Sequence, residues 1–304
     1  MTWNLEILMM SGGGLKGCAF LGVFREFALQ LKKDIFPTIP VTGGSSVGAL
    51  VALVSQLEYS VEEAYSIMKK VESKKLCPAI YEKKSSIKRP SIFKDFGCDY
   101  GYNMEKLLLS LFQKKKINSK ITFLELYKKN SRTLLVSGSC VTSGKPIYYS
   151  HEKTPNFSVL QAVKISMRIP ILFPPLLIDN HLMIDGNLFD PFPMRGLSKI
   201  IRKKARKGNM LGIICSQPEK SEVPTDIFNY LMKILRGSVN QLSQFASEKY
   251  KKHTIYIPFE TSGVKFDIPK KKLFEYFELG KQYAKEFIKK KGLPQVIVKT
   301  PEKS

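Results

Sequence analysis

The chain has 304 residues, 43% of them hydrophobic, and a formal net charge of +23 from 49 basic and 26 acidic side chains. That length and apolar content are enough for one large domain or two small ones. The charge draws polyanions, nucleic acid or anionic lipid, to the surface, but zinc spacing and an aromatic RNA-binding strand motif are both missing, which argues against specific nucleic-acid binding. Five cysteines (Cys18, Cys77, Cys98, Cys140, Cys215), widely spaced and without a Cys-x-x-Cys pair, argue against a disulfide scaffold or zinc site. No stretch approaches the ~18 apolar residues that span a bilayer, and Met1 to Met10 lacks the basic and apolar regions of a secretory signal. The expectation is a cytoplasmic protein that meets membranes peripherally.

In chain order, Leu5–Met10 reads as a buried strand, Ser11–Gly14 as a turn and Leu15–Leu31 as a helix. Ile39–Thr42 is a second strand, followed by a helix-like stretch from Ala49 to Met68. This strand–loop–helix alternation predicts a parallel sheet covered by helices. Residues 74–103 are rich in lysine, serine and aromatics, with weak periodicity, and read as a surface excursion. Met104–Phe112 reads as helix, Thr133–Val141 and Pro146–Tyr149 as a hairpin, and Ser158–Met167 as a helix stopped by Pro170. Leu182–Ile184, Met210–Cys215 and Ile255–Pro258 are further strands. Residues 270–292 form a basic amphipathic helix, with Leu273, Phe274, Phe277, Ala284, Phe287 and Ile288 on one face. That face either packs on the sheet or docks on anionic lipid, for which Lys199–Lys207 and 74–103 are further candidates. The apolar signal is continuous, so residues 1–298 read as a single domain and 299–304 as a polar tail.

Two glycine-rich turns carry the chemistry. Gly44-Ser45-Ser46-Val47-Gly48 lies between a strand and a helix, the context of a nucleophile elbow. The glycines leave room beside the Ser46 hydroxyl, and the helix N-terminus favours a developing anion. The alternative is a turn serine capping the following helix. Upstream, Gly12-Gly13-Gly14-Leu15-Lys16-Gly17 matches the dinucleotide fingerprint in spacing, but no acidic residue ends the second strand to hold a ribose. A phosphate loop fails as well, because Lys16 precedes Gly17 and Cys18 follows it. An oxyanion hole built from the amides of Gly12, Gly13 and Gly14 remains, against a tight turn without a ligand. Lys16 is either a cation facing a lipid phosphate or a solvated side chain of the first turn.

The hydroxyl needs a base. Ser46, Asp185 and His253 satisfy the Ser–acid–His order of an α/β-hydrolase, although His253 sits in a run of lysines. Asp185 follows the strand Leu182–Ile184 and precedes Gly186-Asn187; a partly desolvated aspartate there has raised proton affinity and can act as base directly.

Taken together, the Gly12–Gly17 loop, the Gly44–Gly48 elbow, the segment Ala162–Pro175 and Asp185-Gly186 resemble the patatin-like acyl hydrolases, in the same order over most of the chain. The resemblance implies a three-layer α/β/α fold around a largely parallel sheet. It implies a dyad with Ser46 as nucleophile and Asp185 as base, supported by Lys16, Gly17, Gly44, Gly48, Gly186 and Asn187. It implies no catalytic histidine, no required metal, no cofactor, and a membrane phospholipid or lysophospholipid as substrate. Two positions depart from the family pattern: Asn187 stands where Gly or Ala is usual, and Pro191 where asparagine is frequent. A catalytically silent lipid-binding scaffold on the same fold is the remaining alternative.

Overall fold

The computed structural model describes residues 2–78, 91–216, 223–259 and 268–296; the tail expected after residue 298 and part of the 74–103 excursion lie outside them. Among the described residues the strands are β1 (Thr2–Asn4), β2 (Ile7–Met10), β3 (Val41–Gly44), β4 (Thr133–Cys140), β5 (Lys145–Tyr149), β6 (Leu176–Ile178), β7 (His181–Asp185), β8 (Met210–Ser216), β9 (Thr254–Pro258) and β10 (Leu293–Gln295). The main sheet runs β6-β7-β4-β3-β2-β8-β9, and β5 also pairs with β4. From β4 to β9 the pairings are parallel; β5, β6 and β7 are antiparallel. β1 and β10 form a separate parallel pair.

Successive strand side chains point to opposite faces, and this period sorts the core into two layers. Leu8 and Met10 of β2 join Leu134, Val136, Leu211 and Ile213 under the helices Cys18–Leu31, Val47–Gln56, Val61–Lys70, Tyr102–Lys114 and Lys270–Lys291. Ile7 and Met9 face the other way, with Val41, Leu135 and Ile214, under Phe192, Met194, Leu197 and the helix Lys199–Arg206. The result is an α/β/α sandwich with one thick and one thin helical layer. The chain leaves β2 towards β3 and β4 on one side and returns to β8 and β9 on the other. Loops at the carboxyl end of β2 therefore lie at a topological switch point, where ligands of open α/β sheets bind.

Several expectations need revision. The stretch Ala49–Met68 is two helices, Val47–Gln56 and Val61–Lys70. Glu58 turns left-handed between them (φ 61°), and a capping box of Ser60 and Glu63 restarts the helix. The described part of the 74–103 excursion lies largely at the surface, with Phe93 and Phe96 exposed, but it is anchored at two points. Cys77 is fully buried, and the N–H groups of Cys98 and Asp99 both donate to Leu172 O. β6 pairs with β7 through Asp179-Asn180, both left-handed, the dihedral signature of a type I′ hairpin turn.

The helix at 270–291 takes the core-packing alternative. Leu273, Tyr276, Phe277 and Ala284 are buried, whereas Phe274 is half exposed. It crosses the Cys18–Leu31 helix through two glycines. A methyl on Gly22 would lie 2.0 Å from Phe277 O, and one on Gly280 would lie 2.0 Å from Ala19 O. Backbone meets backbone there, so no rotamer change relieves the clash. A methyl on Gly237, by contrast, would meet nothing within 4 Å. Gly→Ala in an open helix interior stabilises by up to ~1 kcal/mol, so the two sites should respond with opposite signs. Denaturant unfolding is expected to show Gly237→Ala stabilised and Gly280→Ala destabilised by about 1–3 kcal/mol.

Candidate active site

Ser46 caps the N-terminus of the Val47–Gln56 helix with φ 54° and ψ −125°, and its side chain makes no capping hydrogen bond. The capping-serine alternative is therefore not what holds the residue. A non-glycine residue at such dihedrals is strained, at a cost of order 1–3 kcal/mol, and persists only where its surroundings enforce it. The enforcement is visible. Ser46 N–H donates to Ser166 Oγ at 2.9 Å, Ser45 N–H to Met10 O at 3.3 Å, and Gly48 N–H to Ser45 O at 2.8 Å. Gly44 and Gly48 permit the close approach: a methyl on Gly44 would lie 2.5 Å from the Gly48 carbonyl carbon, and one on Gly48 would lie 2.4 Å from Met10 O.

Asp185 ends β7, where Gly138 of β4 is its partner and its own N–H donates to Arg168 O at 2.9 Å. Gly186 sits so close to Ser137 O that a methyl would lie 2.3 Å away. The carboxyl group is buried beside Ser46. Oδ1 accepts from Asn187 N–H at 2.8 Å, while Oδ2 has no hydrogen-bond partner among the described residues. Burial pushes its pKa up from 3.8 to about 7, against the Ser46 hydroxyl and the Asn187 N–H, which both favour the charged form. At rest, the hydroxyl thus stabilises the carboxylate without a short, aligned hydrogen bond. Such bonds commonly tighten only when substrate is bound.

The glycine loop follows β2. Gly14 is left-handed (φ 57°) and opens a short 3-10 turn that leads into the Cys18–Leu31 helix. Asn187 joins this loop to the aspartate loop, because Gly12 N–H donates to Asn187 Oδ1 at 3.1 Å. Of the three amides expected to form an oxyanion hole, that of Gly12 is thus engaged by a side chain in this structure. Lys16 is not solvated: it is 2% exposed, and its Nζ has no hydrogen-bond partner among the described residues. Burial lowers its pKa to about 8. Gly17 lies against Val47 of the elbow helix, which locks the two turns together.

The structure sets His253 apart from these groups. It stands just before β9, and its Nδ1 lies 2.6 Å from Lys291 Nζ. Burial and the neighbouring lysines hold its pKa low. His181 is exposed at the start of β7, and His151 stacks on Tyr127. The order Ser46, Asp185, His253 along the chain is therefore not an order in space. The Pro191 departure is met by its neighbour. Asp190 is fully buried, and its Oδ2 accepts from Tyr148 Oη at 2.6 Å and from Arg195 Nε at 3.2 Å. This holds the loop that carries Asp185.

Ser46 stands where two cavities meet. One, of about 140 Å³, is almost wholly apolar and runs between Val47, Leu50, Val54, Met68, Leu107 and Leu111. The other, of about 100 Å³, contains Gly12–Gly14, Asp185 and Asn187 and is roofed by the helix Ile227–Ser247 through Met232, Arg236, Val239 and Asn240. Sequence reasoning missed this helix. Its signals were present: Asp226 as N-cap, and apolar residues at Ile227, Leu231, Ile234 and Leu235.

A model of the patatin-like phospholipase family matches residues 8–198. The chain belongs to that family. It is 26% identical over 207 residues to the probable lipid hydrolase 463L of Invertebrate iridescent virus 6, covering 66% of each chain. It is 24% identical over 298 residues to the uncharacterized protein YqhO of Bacillus subtilis strain 168, covering 92% of this chain and 97% of that one. The fold is similar to VipD from Legionella pneumophila, with TM-score 0.60 and 15% identity over 95% of this chain and 67% of that one. It is also similar to ExoU of the Pseudomonas aeruginosa type III secretion system, crystallised with SpcU, with TM-score 0.51 and 16% identity over 94% and 52%. The chain thus spans about two thirds of the viral relative and of VipD, about half of the ExoU chain and nearly all of YqhO. At these identities the solved structures bear on the fold alone.

The raised proton affinity of Asp185 has a consequence for stability. Its folded pKa of about 7 lies above the reference 3.8, so the folded state resists losing the proton. The penalty is absent below pH 4, grows between pH 4 and 7, and is complete above pH 7. Asp185→Asn removes it. Denaturant unfolding is expected to show the variant stabilised at pH 8, by roughly 4 kcal/mol at most, and equal to the parent near pH 3.5. Equal stabilisation at both values would refute the linkage.

Proposed function

We propose that this protein is a lipid acyl hydrolase of the phospholipase A or lysophospholipase type that cleaves fatty acyl esters through a Ser46–Asp185 dyad. One observation carries the reading: a strained serine without a capping bond shares a cavity with a buried carboxylate of raised proton affinity. In this mechanism Asp185 takes the Ser46 proton as Oγ attacks the ester carbonyl. The N–H groups of Gly13 and Gly14 receive the developing oxyanion; such donors contribute ~3 kcal/mol each in the transition state. The carbonyl re-forms, the alcohol leaves with the proton held by Asp185, and an acyl-Ser46 ester remains. Water then attacks that ester, giving its proton to Asp185, and the fatty acid departs as Ser46 regains a proton. The apolar cavity receives the acyl chain. Its walls offer the chain no hydrogen-bonding competitor, which suits a long hydrocarbon better than a polar acyl group.

The substrate reaches such a site from a membrane surface, and the net charge of +23 favours anionic lipid. The C-terminal helix has already committed its apolar face to the core. The roof helix instead exposes Ile227, Tyr230, Leu231 and Ile234, a stripe at helical spacing on the side away from the cavity. No helix among the described residues is long and apolar enough to cross a membrane.

Intact-mass analysis after incubation with a fluorophosphonate ester tests the nucleophile. A single adduct is expected on the wild type and none on Ser46→Ala, with fatty acid release from lipid lost in the same variant. An unlabelled but folded wild type would favour the silent scaffold. Hydrolysis is expected to rise with pH through about 7, because Asp185 must be deprotonated to act as base. A rate independent of pH from 5 to 9 would remove Asp185 from that role.

A further inference from the structure

The apolar cavity that begins at Ser46 has a definite length. Three helices each give it a wall that runs from i to i+7. These are Val47 to Val54 in the elbow helix, Ala64 to Val71 in the helix Val61–Lys70, and Met104 to Leu111 in the helix Tyr102–Lys114. In each wall the residue at i+3 faces the cavity as well: Leu50, Ile67 and Leu107. That spacing is one face of a helix. Seven residues of helix rise about 10 Å, so the three walls agree on how far the cavity runs.

Its two ends differ. Gly14, Ser46 and Ile169 border both cavities and mark the near end. The far end is formed by Val54, Ala64 and Leu111, which Tyr59 draws together. Tyr59 N–H donates to Val54 O at 3.2 Å, and its Oη donates to Leu111 O at 2.8 Å. Ala64 lies one turn into the helix that starts just after Tyr59. Tyr59 is 2% exposed and Ala64 5%, so the far end is closed. The hydrolytic steps need only the near end and do not explain the depth. An empty apolar void forfeits the contacts that packed atoms make, and a chain that fills it restores them.

We propose that Val54, Ala64 and Leu111 are a floor that measures the acyl chain, and that the enzyme selects medium-length acyl groups. The inference rests on the acyl-hydrolase reading for the reaction and adds which acyl groups are taken. An extended alkyl chain advances about 1.3 Å for each carbon–carbon bond of ~1.5 Å, so about eight bonds reach from Ser46 to the floor. The volume agrees. The cavity holds about 140 Å³, and an apolar protein cavity of about 150 Å³ takes benzene, a ligand of six carbons. A longer chain has two courses. It overpacks the floor, which is destabilising, or it leaves its remainder in water and gains nothing for the added carbons. Ala64 is the smallest of the three floor residues, so its side chain sets how deep the methyl end can go. Each methylene buried above the floor strengthens binding about fourfold, and each one beyond it adds nothing. Chain-length dependence should therefore rise and then break.

The test measures kcat/KM on the full chain for p-nitrophenyl esters from butanoate to tetradecanoate, each below its aggregation limit. The wild type is expected to gain about fourfold per methylene up to about eight carbons, and then to level or fall. Ala64→Leu should move the break about two carbons shorter and Leu111→Ala about two longer, the reach of the side chain added or removed. Val54→Ala replaces Leu111→Ala if the latter does not fold. A rise that continues unbroken to tetradecanoate, or a break that stays in place in every variant, would overturn the floor. Titration of 1-alkanols into Ser46→Ala by calorimetry reads the same cavity without turnover, and affinity should break at the same length. A break for alkanols with no ester hydrolysed by the wild type would sink the hydrolase and keep the floor. Hydrolysis at every length without a break would do the reverse.

Discussion

The site depends on a single backbone constraint, the left-handed conformation forced on Ser46 between β3 and the helix that follows. An ordinary residue relaxes away from φ 54° and ψ −125°. Here the turn is wedged from three directions: by the end of β2 through Met10 O, by Ser166 through its hydroxyl, and by the mutual approach of Gly44 and Gly48. The strain keeps the side chain out of the capping position that a serine at a helix start otherwise prefers. The hydroxyl is thereby left to face Asp185. Core packing on both faces of the sheet supplies the rigidity, since the strands that carry the wedge are buried throughout.

Around that constraint the electrostatics are divided by element. Asp185 is kept free of cations, so its affinity for a proton stays near the range a general base needs at neutral pH. Its loop takes its support from a different acid. Asp190, with Tyr148 and Arg195, fixes the turn from below, so the charge that steadies the loop is not the charge that would do the chemistry. Asn187 makes the second junction. Its backbone N–H steadies the Asp185 carboxylate, and its side chain ties down the Gly12 amide. One residue thus couples the Asp185 loop to the glycine loop through its side chain, which a glycine or alanine would lack. Lys16, buried in the glycine loop, has no hydrogen-bond partner for its Nζ among the described residues.

Much of this arrangement was legible in the chain. The alternation of strand, glycine turn and helix located the parallel sheet, and the spacing of glycines around Ser46 and before Gly17 marked both turns. Asp185 stood out because a strand delivered it and a glycine followed. The helix boundary at Glu58 was less legible, because the apolar period of Val47–Gln56 continues into Val61–Lys70 almost in phase and only the capping box betrays the break. The roof helix was missed although Asp226 and its apolar stripe announced it. Its inward face is set by contact with the sheet, not by its own pattern.

The sequence by itself marked the residues proposed for the chemistry, because glycine placement and strand-to-helix order are local properties with local physical causes. Tertiary structure decided which of those residues meet. Proximity across the sheet depends on strand order, and no pattern along the chain encodes it. That is why His253 satisfied a linear order yet lies against Lys291, why Lys16 turned out buried rather than solvated, and why the amphipathic face at 270–291 packs on the Cys18–Leu31 helix. Burial, which raises the proton affinity of Asp185, is a property of the packed fold alone.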